Sequence, residues 1–288
     1  MWHKIIILFR SLYGYVLKFA YVTRLLRVPS LGERKQADVV VSLTSYGRRV
    51  KDGVVCYSIY SILRQTIQPK KIILWLDEEE WNEQNLPVRV KRLKEKGVNI
   101  CFSENMRSHK KLLPAIKAFP EEAIITIDDD VLYPAELIEK LVETHHAFPE
   151  DIIATHAYHP HYVNGQIEPY RQWQAAAKGT ADKMHFALGV GGVLYPPHSL
   201  YLPMLDYTIA QQYAPLADDV WFWGASIAQG TDKRTTDWTF DTVSFDAIYQ
   251  FLHKGSALQH TNVKGTAMTN DTQIAATMTY IRENYGVS

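Results

Sequence analysis

The run Asp128-Asp129-Asp130 follows directly on the apolar stretch AIITI (123–127). Adjacent carboxylates at the end of a buried strand repel one another unless a cation sits among them. Oxygen ligands on a turn suit Mg2+ or Mn2+, and a diphosphate can supply further oxygens. The alternative is an acidic solvated turn or a helix cap, since Asp favours both. A second acidic pair, Asp218-Asp219, stands in LADDVWFWGASI (216–227). A carboxylate at a helix N-terminus stays ionised. The pair therefore predicts a helix opened by acidic residues, where one Asp can cap the first turn and a carboxylate can also serve as a proton acceptor. Lys110 and Lys111 precede the triplet in SHKKLLPAI, where a cation can meet a phosphate or an acid, or face solvent. Trp221 and Trp223 can stack on a sugar, but at that spacing at least one is expected in the core.

The elements that must carry these groups alternate in type. Val39–Tyr46 (VVVSLTSY) predicts a buried strand running into a loop, and Val54–Gln65 a helix. Lys71–Leu76 is a second strand ending at Asp77, Pro87–Lys96 a helix stopped by Gly97, and Val98–Phe102 a third strand. His109–Phe119 reads as helix, Ala123–Ile127 as a fourth strand and Pro134–His145 as helix. That order predicts an α/β fold, a mostly parallel sheet with helices on both faces. Ligands of such sheets bind beyond the carboxyl ends of the strands, where the triplet lies. Past His145 the pattern loosens. His156–Trp173 reads as an irregular loop, and nothing beside its His156, His159 and His161 supplies a fixed zinc ligand set. Gly189–Tyr195 (GVGGVLY) reads as a strand whose glycines admit close approach.

Composition narrows the function. Lys+Arg and Asp+Glu both number 31 in the 288 residues, so the net charge is zero and nucleic acid is not the expected partner. The two cysteines, Cys56 and Cys101, lie in unrelated segments and suit a reducing compartment. Residues 1–28 are interrupted by Lys4, Arg10, Lys18, Arg24 and Arg27, too often for a spanning helix. On a helical projection His3, Lys4, Arg10, Ser11, Gly14 and Lys18 share one arc, and Ile5, Ile6, Leu8, Phe9, Leu12, Val16, Phe19 and Val22 fill the rest. This predicts an N-terminal amphipathic helix lying on an anionic membrane surface, or else packed on the body of the protein.

The stretch ITIDDDVLYP resembles the Asp-X-Asp motif of GT-A-fold glycosyltransferases, and VSLTSYGRRV with SIYSILRQTIQPKKIILWLD resembles the opening strand, helix and strand of family-2-like enzymes. The resemblance covers roughly 39–260 and implies a Rossmann-like catalytic domain over 38–288, with a nucleotide-sugar half (38–132) and an acceptor half (133–288). It implies that Asp128 and Asp130 bridge Mn2+ or Mg2+ to the donor, with Asp129 beside them and His260 completing the metal shell. It places Thr44, Ser45, Tyr46, Asp77 and Lys110 at the nucleotide, and makes Asp219, after Asp218, the base of an inverting transfer. The middle Asp of the triplet departs from the motif and leaves the choice of ligating pair open. The implied reaction moves a sugar from a nucleoside diphosphate, a UDP-sugar by expectation, to a glycan or lipid-linked glycan. The expected place is the cytoplasmic face of the cell membrane, in bacterial surface polysaccharide synthesis. A retaining transferase, a sugar-phosphate nucleotidyltransferase and a non-catalytic glycan-binding protein are the alternatives.

Overall fold

A computed structural model describes residues 2–163, 166–246, 249 and 268–286, with side chains from residue 12 onward. The central element is a sheet of eight strands. We number them β1 (Gln36–Thr44), β2 (Gln68–Asp77), β3 (Asn99–Ser103), β4 (Ala123–Thr126), β5 (Ile152–Ala154), β6 (Ala181–Asp182), β7 (Val193–Tyr195) and β8 (Lys233–Thr235). Their spatial order is β6-β8-β5-β7-β4-β1-β2-β3. The pairs β1–β2, β1–β4, β2–β3 and β5–β8 are parallel, while β7 runs antiparallel between β4 and β5. Strands from both expected halves thus share one sheet.

The apolar run of β1 is continuous because both faces of the sheet are covered. Val39, Val41 and Leu43 face one core with Ile59, Ile62 and Leu63 of the Val54–Leu63 helix. Val40 faces the other, with Trp221 and Phe222 of the Asp218–Gln229 helix. The expected mostly parallel sheet with flanking helices is what forms. Local differences arise where tertiary contacts override periodicity. The segment expected as one helix from His109 is a 3-10 turn (Arg107–Lys111) followed by a short helix (Leu113–Ala118). Gly189–Gly191 is also a 3-10 turn, and the strand begins only at Val193. The His156–Trp173 loop contributes Ala157–His159 to a three-stranded sheet with Gln174–Ala175 and Phe186–Ala187. Trp221 and Trp223 are both buried, with indole N–H groups donating to the Met204 and Met184 carbonyls, so neither is offered to a sugar.

The N-terminal helix, α1, spans Trp2–Val22 and is not long and apolar enough to cross a membrane. Its orientation is the reverse of a simple polar-side-out arrangement. Gly14 and Lys18, from the polar arc, turn toward the protein. A methyl group on Gly14 would lie 3.4 Å from the Ser244 carbonyl, so the helix seats closely on the Val243–Ser244 strand. Lys18 is drawn toward Asp246 and Asp130, and its ammonium also lies 5.6 Å from the Tyr57 ring centre. Leu12, Val16, Phe19 and Val22 therefore face outward, Phe19 being 63% exposed.

Candidate active site

The parallel register of β1 and β4 sets Ser42 against Thr126, an offset of 84 residues. Carried three residues past that pair, the same offset brings Ser45 to Asp129, and the Ser45 hydroxyl donates to Asp129 Oδ2 at 2.5 Å. The short helix Gly47–Lys51 then turns Arg49 back over the triplet, with Arg48 beside it. Arg49 donates through Nη1 to Asp129 Oδ1 at 2.5 Å and through Nη2 to Asp130 Oδ2 at 2.9 Å. Its Nε lies 3.4 Å from Asp246 Oδ2, and Arg48 pairs with the other oxygen of Asp246. Ser244 donates to Asp130 Oδ2 at 3.0 Å. The backbone of Asp130 is also held, because Val131–Leu132 pairs antiparallel with Val243–Ser244. Burial pushes the Asp130 carboxyl up to about 6 even against the Arg49 charge, and raises Asp129 in the same sense.

Asp128 faces the other way. Lys111, fully enclosed at the end of its 3-10 turn, reaches Asp128 Oδ1 at 3.0 Å, Asp218 Oδ2 at 2.9 Å and Asp219 Oδ1 at 3.9 Å. The Lys111 carbonyl accepts from Ser42 of β1 at 2.6 Å, which fixes the turn to the sheet. Burial works against the ammonium, but Asp128, Asp218 and Asp219 overcome it and hold Lys111 well above its ordinary value. Asp218 does not cap its helix. Ala217 is the cap residue, and the Asp218 side chain is turned to the buried lysine instead. Burial opposes the Asp218 charge, yet Lys111 keeps that carboxyl below the usual range.

Asp219 is in the opposite condition. Burial, with Asp218 and Asp128 adding repulsion, pushes its carboxyl up to about 7, while Lys111 and one N–H bond pull the other way. That bond comes from the Gly189 backbone, at 3.1 Å from Asp219 Oδ2. Gly189 is required to lack a side chain: a methyl group there would stand 2.6 Å from Asp219 Oδ1 and 2.9 Å from Lys111 Nζ. The two acidic motifs, distant in sequence, are thus joined through one ammonium.

The remaining expected residues separate into placed and unplaced. Thr44 ends β1 and donates to the Trp75 carbonyl at 3.0 Å. Tyr46 follows, 48% exposed, with its ring near Arg49. Asp77 ends β2, buried, with Oδ1 accepting from the Glu79 N–H at 3.0 Å. Lys110, also buried, senses the charge of Asp77, although burial lowers its pKa. These four groups line the carboxyl ends of β1 and β2 beside the triplet. His260 lies outside the described residues. His156 is engaged with the Phe240 carbonyl and the Thr239 hydroxyl and has no free role. Arg48, Arg49 and Asp246 were missed by sequence reasoning. The basic doublet directly after the first strand was the available signal for the arginines. Asp246, in a stretch without periodicity, gave none.

The residues present fit a divalent ion. Asp129 and Asp130 already converge on one cationic group, the Arg49 guanidinium. Among the described residues no three His, Cys, Asp or Glu side chains come together to hold a metal unaided. Two carboxylates completed by a diphosphate is a normal Mg2+ arrangement.

The family model for glycosyl transferase family 2 matches residues 45–209, from the serine on Asp129 past β7. The chain belongs to that family. The triplet, Asp77 and the Gly189 turn all fall inside the matched span. This glycosyltransferase has the GT-A fold, and among solved structures it is similar to S. aureus TarS 1–349, at 13% identity over 86% of this chain and 74% of that one, with a TM-score of 0.47. It is similar also to the mannosyltransferase PcManGT from Pyrobaculum calidifontis, solved with GDP-Man and Mn2+, at 12% identity over 99% and 86% with a TM-score of 0.45. A UTP-bound UGPase from Acinetobacter baumannii aligns at 10% identity over 88% and 95%, with a TM-score of 0.41. No curated protein matches the glycosyltransferase by sequence.

Proposed function

We propose that this glycosyltransferase moves a sugar from a nucleoside diphosphate, a UDP-sugar, to a hydroxyl of a glycan or lipid-linked glycan with inversion at the anomeric carbon. The observation that carries this reading is the setting of Asp219. It is a half-buried carboxylate pushed up to about 7, fixed by the Gly189 N–H and joined through Lys111 to Asp128, the first acid of the triplet. A base of that strength suits proton removal near neutrality.

In the proposed reaction the acceptor hydroxyl passes its proton to Asp219 as its oxygen bonds to the anomeric carbon. The bond from that carbon to the diphosphate oxygen breaks, and the electron pair leaves with the diphosphate. Lys111 keeps Asp218 ionised and orients both Asp218 and Asp128, leaving Asp219 as the carboxyl that exchanges the proton. Asp130, with Asp129 or Asp128 beside it, would hold Mn2+ or Mg2+. Such an ion offsets the charge gathering on the leaving diphosphate. Thr44, Ser45, Tyr46, Asp77 and Lys110 seat the nucleotide at the ends of β1 and β2.

The outward apolar face of α1 supports attachment to an anionic membrane surface, with Arg24 exposed at its end. An acceptor presented at the inner face of a cell membrane, in bacterial surface polysaccharide synthesis, fits that attachment.

A screen of nucleotide sugars with Mn2+ for release of nucleoside diphosphate tests the reaction, and NMR of the product tests the stereochemistry. Inverted product from the wild type, formed about 10²- to 10⁴-fold more slowly by Asp219→Asn, is the expected result. A product of retained configuration overturns the assignment of Asp219.

A further inference from the structure

Arg49 is the least expected occupant of the site. Its guanidinium touches Asp129, Asp130 and Asp246 together, through Nη1 at 2.5 Å, Nη2 at 2.9 Å and Nε at 3.4 Å. The arginine side chain is 15% exposed, and its partners are more deeply buried still. A guanidinium cannot be neutralised by losing a proton, so this is a permanent positive charge between the carboxylates. Each of its three nitrogens faces a carboxylate, which fixes it in place. Both carboxylates also accept from serines, Ser45 on Asp129 and Ser244 on Asp130. These hydroxyls hold the acids whether or not the arginine is there.

We propose that Arg49 is the resident counter-ion of the triplet, holding Asp129 and Asp130 when no divalent ion is bound and competing with the ion for the same oxygens. The inference rests on reading the triplet as a metal site. An ion that takes Asp130 Oδ2 competes with Nη2 for that oxygen, and a released guanidinium needs another anionic partner. Asp246, already within reach of Nε, is one such partner, and the diphosphate of the donor is a second. Metal therefore binds weakly to the protein alone and more tightly with a nucleoside diphosphate. By linkage the metal strengthens nucleotide binding by the same factor. Arg49 is in this sense a positioning residue that ties metal capture to the presence of donor.

The test measures Mn2+ affinity by loss of the free-ion EPR signal, with and without UDP. It compares the wild type with Arg49→Gln, Arg49→Lys and Asp130→Ala. Arg49→Gln is expected to bind Mn2+ alone about tenfold more tightly than the wild type. The gain in affinity on adding UDP, roughly 5–150-fold in the wild type, should shrink in that variant. Arg49→Lys, one point charge without the fork, should fall between the two. Thermal melting with and without Mn2+ gives an independent reading, the ion stabilising Arg49→Gln more than the wild type. The proposal is overturned if the wild type binds Mn2+ with UDP, Asp130→Ala does not, and Arg49→Gln matches or falls below the wild type. If no protein binds Mn2+ under either condition, the metal reading itself fails and the proposal with it.

Discussion

A methyl group added to Gly189 would stand 2.6 Å from Oδ1 of Asp219. The glycine also donates its N–H to the other oxygen of that carboxylate at 3.1 Å. One backbone position thus both holds the proposed base and leaves room for it. Gly189→Ala should lower kcat by about 100-fold, within the range that a positioned base supplies. Steady-state kinetics with circular dichroism on the same sample checks this. A folded variant with wild-type kcat would show that the close approach is incidental.

The Asp219 carboxyl, pushed up to about 7 by burial, gives activity a definite pH dependence. The base must be unprotonated, so kcat/KM should rise with pH through about 7 and then level. Asp219→Asn should lose about 10²- to 10⁴-fold in kcat and lose this limb of the profile. Stability runs in the other direction. The unfolded chain releases this proton near 3.8, whereas the folded chain keeps it to about 7. Between those values the folded state holds more protons, so this group's contribution to stability falls as pH rises. At about pH 8 Asp219→Asn should therefore melt no lower than the wild type. A variant that keeps wild-type kcat and is less stable there contradicts both statements.

Lys111 links the two acidic motifs, pairing with Asp128 on one side and with Asp218 and Asp219 on the other. Lys111→Met leaves Asp128, Asp218 and Asp219 facing one another without a cation. The expected destabilisation is roughly 3–5 kcal/mol, the cost of breaking a buried ion pair by removing one partner. Adding Asp218→Asn to that variant should restore part of the loss. Urea denaturation of the single and double variants measures both effects. An unchanged midpoint for Lys111→Met would mean that water replaces the ammonium.

Phe19 projects from the outward face of α1, while Gly14 on the inward face seats the helix against the Val243–Ser244 strand. Phe19→Asp should leave the melting temperature unchanged and weaken binding to phosphatidylglycerol vesicles by at least about tenfold, since burying one Phe is worth ~1.5–3 kcal/mol. Co-sedimentation reads the difference. Equal binding by variant and wild type would remove the membrane from the proposal.

Much of the architecture was legible along the chain. The alternation of apolar runs with helical spacing requires strands buried on both faces, because only a covered sheet accommodates VVVSL and KIILWL without polar interruption. AIITI followed by DDD places acids at a strand end, and that position is set by local order alone. The resemblance carried by these segments already indicated a GT-A glycosyltransferase, and the family match agrees.

Tertiary structure decided which charges meet. Lys110 and Lys111 are equivalent as sequence, but the bond from Ser42 to the Lys111 carbonyl turns Lys111 to the acids and leaves Lys110 near Asp77. Asp218 reads as a cap until a buried ammonium claims its carboxylate. The inward side of α1 follows from Gly14 and from acids more than a hundred residues away. Arg49 meets the triplet because two parallel strands share a register, a relation that has no local trace. Electrostatic partners depend on distance in space, and periodicity reports only on which side of an element a residue lies. The acidic triplet was therefore fixed by the sequence as a feature, and by the fold as a site with Arg49 on one side and Lys111 on the other.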